Sequence, residues 1–128
     1  MPVKYIAENR SGPINWVGDT GKTSAAGGLY KEVTTCAGNA ATKILSARTV
    51  DAVRAGVELH NTDGTYELWV QAVPHAAAAP TVSSTARRYV IPPKATVLLE
   101  YGSNIDIYVQ NSSGAATTST YEAAEVRR

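Results

Sequence analysis

Arg54-Ala-Gly-Val-Glu-Leu-His-Asn61, Tyr66-Glu-Leu-Trp-Val-Gln71, Arg88-Tyr-Val-Ile-Pro-Pro-Lys-Ala-Thr-Val-Leu-Leu99 and Ile105-Asp-Ile-Tyr-Val-Gln-Asn111 decide the fold of this chain. Each block alternates apolar and polar residues and runs into Asn, Asp, Gly, Pro or Ser, the pattern of short antiparallel strands with one buried face. The alternation assigns Val57 and Leu59 to the core and turns Glu58 and His60 outward. It likewise sends Tyr66, Leu68 and Val70 inward, with Glu67, Trp69 and Gln71 on the opposite face. Tyr89, Ile91, Val97, Leu99 and Tyr101 continue the inward set on either side of a rigid Pro92-Pro93 corner. Ile105, Ile107 and Val109 complete it, with Asp106, Tyr108 and Gln110 outward. Asn61 to Thr65 reads as a hairpin connection in which Gly64 suits a positive φ.

Working outward, residues 74–86 form a long loop of small residues, with His75 and four alanines between Pro74 and Pro80. Such loops are frequent sites of contact. Thr117 to Val126 reads as a last strand. Residues 40–48 place Ala41, Ile44, Leu45 and Arg48 at helical spacing behind a capping Asn39. A helix this short is marginal, and the preferred reading is a strand over 42–47. Further strands are expected at 3–8, 14–17 and 29–35. Residues 1–38 are sparse in apolar side chains and read as an N-terminal arm or irregular segment, leaving 39–128 as the sandwich domain. Seven to nine short strands at roughly ten-residue spacing predict an all-β, antiparallel β-sandwich or jelly roll as a single domain.

Composition narrows the function. At 128 residues, with 12 Lys and Arg against 11 Asp and Glu, the chain has no bulk attraction for nucleic acid or an anionic membrane. No apolar run approaches the roughly 20 residues needed to span a bilayer, and Met1 to Glu8 lacks the apolar core of a signal peptide. A single cysteine, Cys36, excludes an internal disulfide and suits a small buried hydrophobe.

Chemistry-bearing patterns are weak. Gly18-Asp-Thr-Gly-Lys-Thr23 resembles the end of a phosphate-binding loop, but Trp16 occupies the position where the loop needs its first glycine. His60, Asp63 and His75 lack metal-ligand spacing, and Ser112-Ser113 lacks the flanking glycines of a nucleophile elbow. The expectation is a non-enzymatic protein with no catalytic residues, no cofactor and no metal. Outward apolar surface remains. The candidate interface residues are Val3, Tyr5, Ile6 and Trp16 in the arm, the outward aromatics Trp69 and Tyr108, and the Arg87-Arg88 pair, since Trp, Tyr and Arg dominate buried contacts.

The order of elements over residues 42–126 resembles a small β-sandwich domain of tailed-bacteriophage structural proteins. The similarity rests on an Arg before a strand ending in Asn (Arg54, Asn61), a short strand of Val-Tyr-Val type (Tyr66 to Val70) and a Leu-x-Pro-Gly-x-Ser corner (Ile91 to Thr96). A terminal pair with Ser-Gly in its turn (Ile105 to Thr117) completes it. Lys94 stands where that pattern has Gly. The resemblance implies a virion component made in the host bacterial cytoplasm. A capsid decoration (cement) protein would bind the major capsid protein, and a head-fibre or tail accessory protein would bind a tail or fibre component. It also implies a homo-oligomer, with a trimer as the expected stoichiometry. A second expectation, from the outward Trp16, Trp69 and Tyr108, is a carbohydrate-binding or adhesion module on a phage tail or head fibre.

Overall fold

Alternation organises two four-stranded antiparallel sheets. The computed structural model describes residues 31–45 and 54–127, and for Arg127 its backbone alone. Among these residues eight strands run β1 (Lys31–Cys36), β2 (Thr42–Lys43), β3 (Arg54–Asn61), β4 (Leu68–Pro74), β5 (Tyr89–Ile91), β6 (Thr96–Leu99), β7 (Ile105–Asn111) and β8 (Ser119–Arg127). Their spatial orders are β1-β8-β3-β6 and β2-β7-β4-β5. The pairs β1·β8, β2·β7, β3·β6 and β4·β5 make one long ribbon folded back at the β4–β5 loop. The added pairs β8·β3 and β7·β4 roll that ribbon into two facing sheets. This is the jelly-roll arrangement.

The inward side chains fill the space between the sheets. Val57, Leu59, Leu99, Tyr121 and Ala123 come from one sheet, and Leu68, Val70, Ile91, Ile107 and Val109 from the other, all buried. Each aliphatic side chain contributes about 1.5–3 kcal/mol. With phenylalanine absent from the chain, Tyr121 is the largest fully buried side chain among the described residues. Its hydroxyl donates to Glu32 Oε2 (2.7 Å), which also accepts the Leu45 N–H (3.1 Å). One carboxylate thereby ties β1, β8 and the turn after β2. Burial, and then the hydrogen bond to Glu32, push the Tyr121 phenol well above its ordinary range.

Several expectations are corrected. β1 pairs with β8 along its whole length, so residues 31–38 belong to the sandwich and not to an arm ending at 38. Its inward positions are Glu32, Thr34 and Cys36, two of them polar, which is why apolar alternation understated the strand. The strand expected over 42–47 stops after Lys43, where Leu45 takes a φ of 56°. The expected strands at 3–8 and 14–17 lie outside the described residues. Gly64 does not carry a positive φ. The Asp63 carboxylate builds that turn instead, accepting the N–H groups of Thr65 and Tyr66 (both 2.8 Å). Those two bonds hold Asp63 below the usual carboxylate range.

Two buried asparagines close equivalent strand ends. Asn61 Nδ2 donates to Tyr66 O (2.9 Å) and Ile91 O (3.1 Å) at the end of β3. Asn111 Nδ2 donates to Cys36 O (3.0 Å) and Thr117 O (2.9 Å) at the end of β7. In each case Oδ1 accepts the N–H two residues on, the Asx turn. Arg54 clamps the turn before β7, donating to Tyr101 O, Gly102 O and Ile105 O. Gly56 sits at the register shift of β3, where a Cβ would lie 2.7 Å from Leu99 O.

Candidate functional site

Outer faces carry the side chains free to act. On the β2-β7-β4-β5 sheet, Trp69 lies opposite Gln110 and Gln71 lies opposite Tyr108, so the two aromatics are diagonal neighbours on one face. The structure thus brings together two residues that the sequence singles out separately, and treats them differently. Trp69 is half-buried, its Nε1 donates to Glu67 Oε1 (3.0 Å), and Arg87 stacks on its ring 5.0 Å from the centroid. Arg87 also approaches the same Glu67 oxygen at 3.9 Å. One ring face of Trp69 is therefore occupied by a neighbour on the same chain. Tyr108, expected as an open anchor, is only 8% exposed and cannot serve as a platform for a partner.

Beside Tyr108, Asp106 gathers the loop after β4. It is 5% exposed and outward-facing, and accepts from the Ala76 N–H (2.9 Å), His75 Nδ1 (3.0 Å) and Lys43 Nζ (3.3 Å). Burial alone would raise its carboxyl, but hydrogen bonds from His75, Ala76 and Lys43 outweigh burial and hold it below the usual range. His75 N–H donates to Asn104 O (2.9 Å), and Ala77 N–H closes a turn on Pro74 O with Ala76 at φ 68°. At the far end of the loop Val82 is buried, and Arg88 N–H donates to Val70 O. The 75–88 loop is pinned at both ends, and its chemistry is that of an anchor.

The arginine pair divides. Arg87 is engaged with Trp69 and Glu67, whereas the exposed Arg88 side chain makes no ion pair among the described residues. Next to it on the edge strand β5, Tyr89 and Val90 are exposed. Val3, Tyr5, Ile6 and Trp16 lie outside the described residues.

The other sheet holds surface that the sequence reading missed. Val33 on β1 is 64% exposed and Leu98 on β6 is 55% exposed. Both project from the outer face of β1-β8-β3-β6, with Glu122 between Lys31 (3.3 Å) and His60 (3.8 Å). Leu98, Val126, Ala55, Gly56 and Glu100 line an open groove of about 390 Å³. The signal for Leu98 was present: if Val97 and Leu99 point inward, the residue between them points out.

Among the described residues no group of three or more His, Cys, Asp or Glu is placed to hold a metal ion, and no helix is long and apolar enough to cross a membrane. Cys36 is buried, its Sγ 3.8 Å from Ser119 Oγ, and burial pushes its thiol up, the setting of an inert structural cysteine. Comparison with protein-family models, curated proteins and solved structures finds no match to this chain.

Proposed function

We propose that this chain is a non-enzymatic virion structural protein, a capsid decoration (cement) protein of a tailed bacteriophage that acts by surface contact. The observation that carries this reading is where the unsatisfied side chains lie. The space between the sheets is filled mainly by apolar side chains, while Val33, Leu98, Tyr89 and Val90 stand exposed on outer faces and strand edges. A sandwich with a packed interior and apolar exterior positions is suited to assembly. The jelly roll is shared by capsid and lectin domains, so the fold is compatible with the resemblance of residues 42–126 to phage structural domains without deciding function. In this reading residues 1–30 and the outer sheet faces supply the contacts to the major capsid protein and to other copies.

The test is incorporation. Purified chain is added to particles assembled without it, and the particles are sedimented. The full chain is expected to sediment with the shell, and a chain lacking residues 1–20 is expected to stay in the supernatant while its melting temperature is unchanged. Undiminished incorporation of the shortened chain overturns the role of the arm, and no sedimentation of the full chain overturns the decoration reading.

A carbohydrate-binding role is the competing reading, favoured by Trp69 on the outer face beside Gln71 and Gln110. Against it stand the guanidinium of Arg87 over the Trp69 ring and the burial of Tyr108. It requires that Trp69→Ala abolish glycan binding with the fold intact, and a glycan screen without binders removes it.

A further inference from the structure

We propose that the groove around Leu98 on the outer face of β1-β8-β3-β6 receives the Arg88–Val90 ridge of a second copy of this chain, making a head-to-tail contact. The inference rests on the assembly reading above and names its surfaces.

The groove has an apolar floor and an acidic rim. Leu98, Val126, Ala55 and Gly56 form the floor, and a Cβ on Gly56 would lie 3.6 Å from Leu98 Cδ1. Glu58 lies directly opposite Leu98 in the β3·β6 register, and Glu100, two residues on from Leu98, lines the groove. Both carboxylates are exposed, and neither makes an ion pair among the described residues. A 55%-exposed leucine between two unpaired carboxylates suits an amphipathic cation, whose methylenes cover the floor while its head meets the rim.

The same chain offers that cation elsewhere. Arg88 is exposed and without an ion pair among the described residues, and on β5 Val90 (37% exposed) lies on the outer face opposite Trp69, whereas Tyr89 (43% exposed) faces the other way with its hydroxyl 3.4 Å from that of Tyr101. Among the described residues β5 pairs only with β4 and is an edge strand of its sheet. Groove and ridge therefore carry opposite charge, each with adjoining apolar surface, and lie on different sheets. A head-to-tail union of the two patches is heterologous, and repeated contacts then give a ring when the rotation closes.

Sedimentation velocity on the full chain and two charge-reversed variants tests the contact. Arg88→Glu alters only the ridge, and Glu58→Lys/Glu100→Lys alters only the groove. These exposed side chains make no ion pair among the described residues, so unchanged melting temperatures verify folding. The wild type is expected to associate in the low micromolar range, and each variant alone at least tenfold more weakly. An equimolar mixture restores association into pairs and other even-membered assemblies of unlike copies, in which the acidic ridge meets the basic groove and the native ridge meets the native groove. A monomeric wild type, a variant that associates as the wild type does, or a mixture that stays dissociated overturns the contact. An oligomer insensitive to both variants overturns this contact alone, since the decoration reading is judged separately by shell sedimentation.

Discussion

Replacing Asn111 by alanine removes three hydrogen bonds at once: Nδ2 to Cys36 O and to Thr117 O, and the Ser113 N–H to Oδ1. The side chain is fully buried, so water does not replace these partners without opening the end of the sandwich. At about 1 kcal/mol net per hydrogen bond, the loss is about 3 kcal/mol. That is a large share of the roughly 5–15 kcal/mol that holds a domain of this size. The local geometry makes compensation difficult, because Gly38 packs so tightly that a Cβ there would lie 2.5 Å from Asn111 Oδ1. Urea unfolding at one fixed protein concentration measures the effect. With a slope of about 1.5–2 kcal/mol/M, the midpoint is expected to fall by about 1.5–2 M with the slope unchanged. Asn39→Ala, at an exposed position in the connection between β1 and β2, is the control and is expected to stay within about 0.5 kcal/mol. A midpoint shift for Asn111→Ala no larger than that of the control would refute the assignment of this side chain as the lock between β1, β7 and β8.

Other consequences are equally direct. Lys94 occupies the third position of the Pro92–Ala95 turn at φ 68°, a conformation that costs an L-residue about 1–2 kcal/mol. Lys94→Gly is expected to stabilise the fold by about 0.5–1 kcal/mol in the same urea assay, net of the lost bond from Nζ to Thr62 O; destabilisation would contradict the strain argument. The Asp106 carboxyl is held below its ordinary value in the folded chain, so its contribution is complete above the unfolded carboxylate value near pH 4. It is lost as pH falls through the lower folded value. The stability difference between wild type and Asp106→Asn should therefore shrink on acidification from pH 6 towards pH 3, and a constant difference would show that charge plays no part.

Alternation made the inner faces legible because side-chain parity is local: Val57, Leu59, Leu68, Val70, Ile107 and Val109 all point where the pattern sends them. Strand partners are a different matter. β3 lies between β6 and β8, and that choice is made by packing between residues far apart in the chain. β1 was underrated because its inward positions include Glu32, whose presence is explained by the buried hydroxyl of Tyr121, a partner 89 residues away. On β7, Asp106, Tyr108 and Gln110 point outward as parity directs and are nonetheless buried. Asp106 is covered by the His75–Ala76 turn, and Gln110 donates to Gly38 O (3.2 Å). Parity says which way a side chain points, and only the loops decide what lies over it. The turn at Lys94 shows the reverse case, where the backbone keeps a left-handed position although its residue is not glycine.

The account stands on surfaces that meet other surfaces, and the native mass of the full chain tests that most directly. Native mass spectrometry at low micromolar concentration is expected to show one closed oligomer, a trimer, that dissociates as ionic strength rises. A monomer at every concentration and ionic strength would contradict self-assembly through these faces.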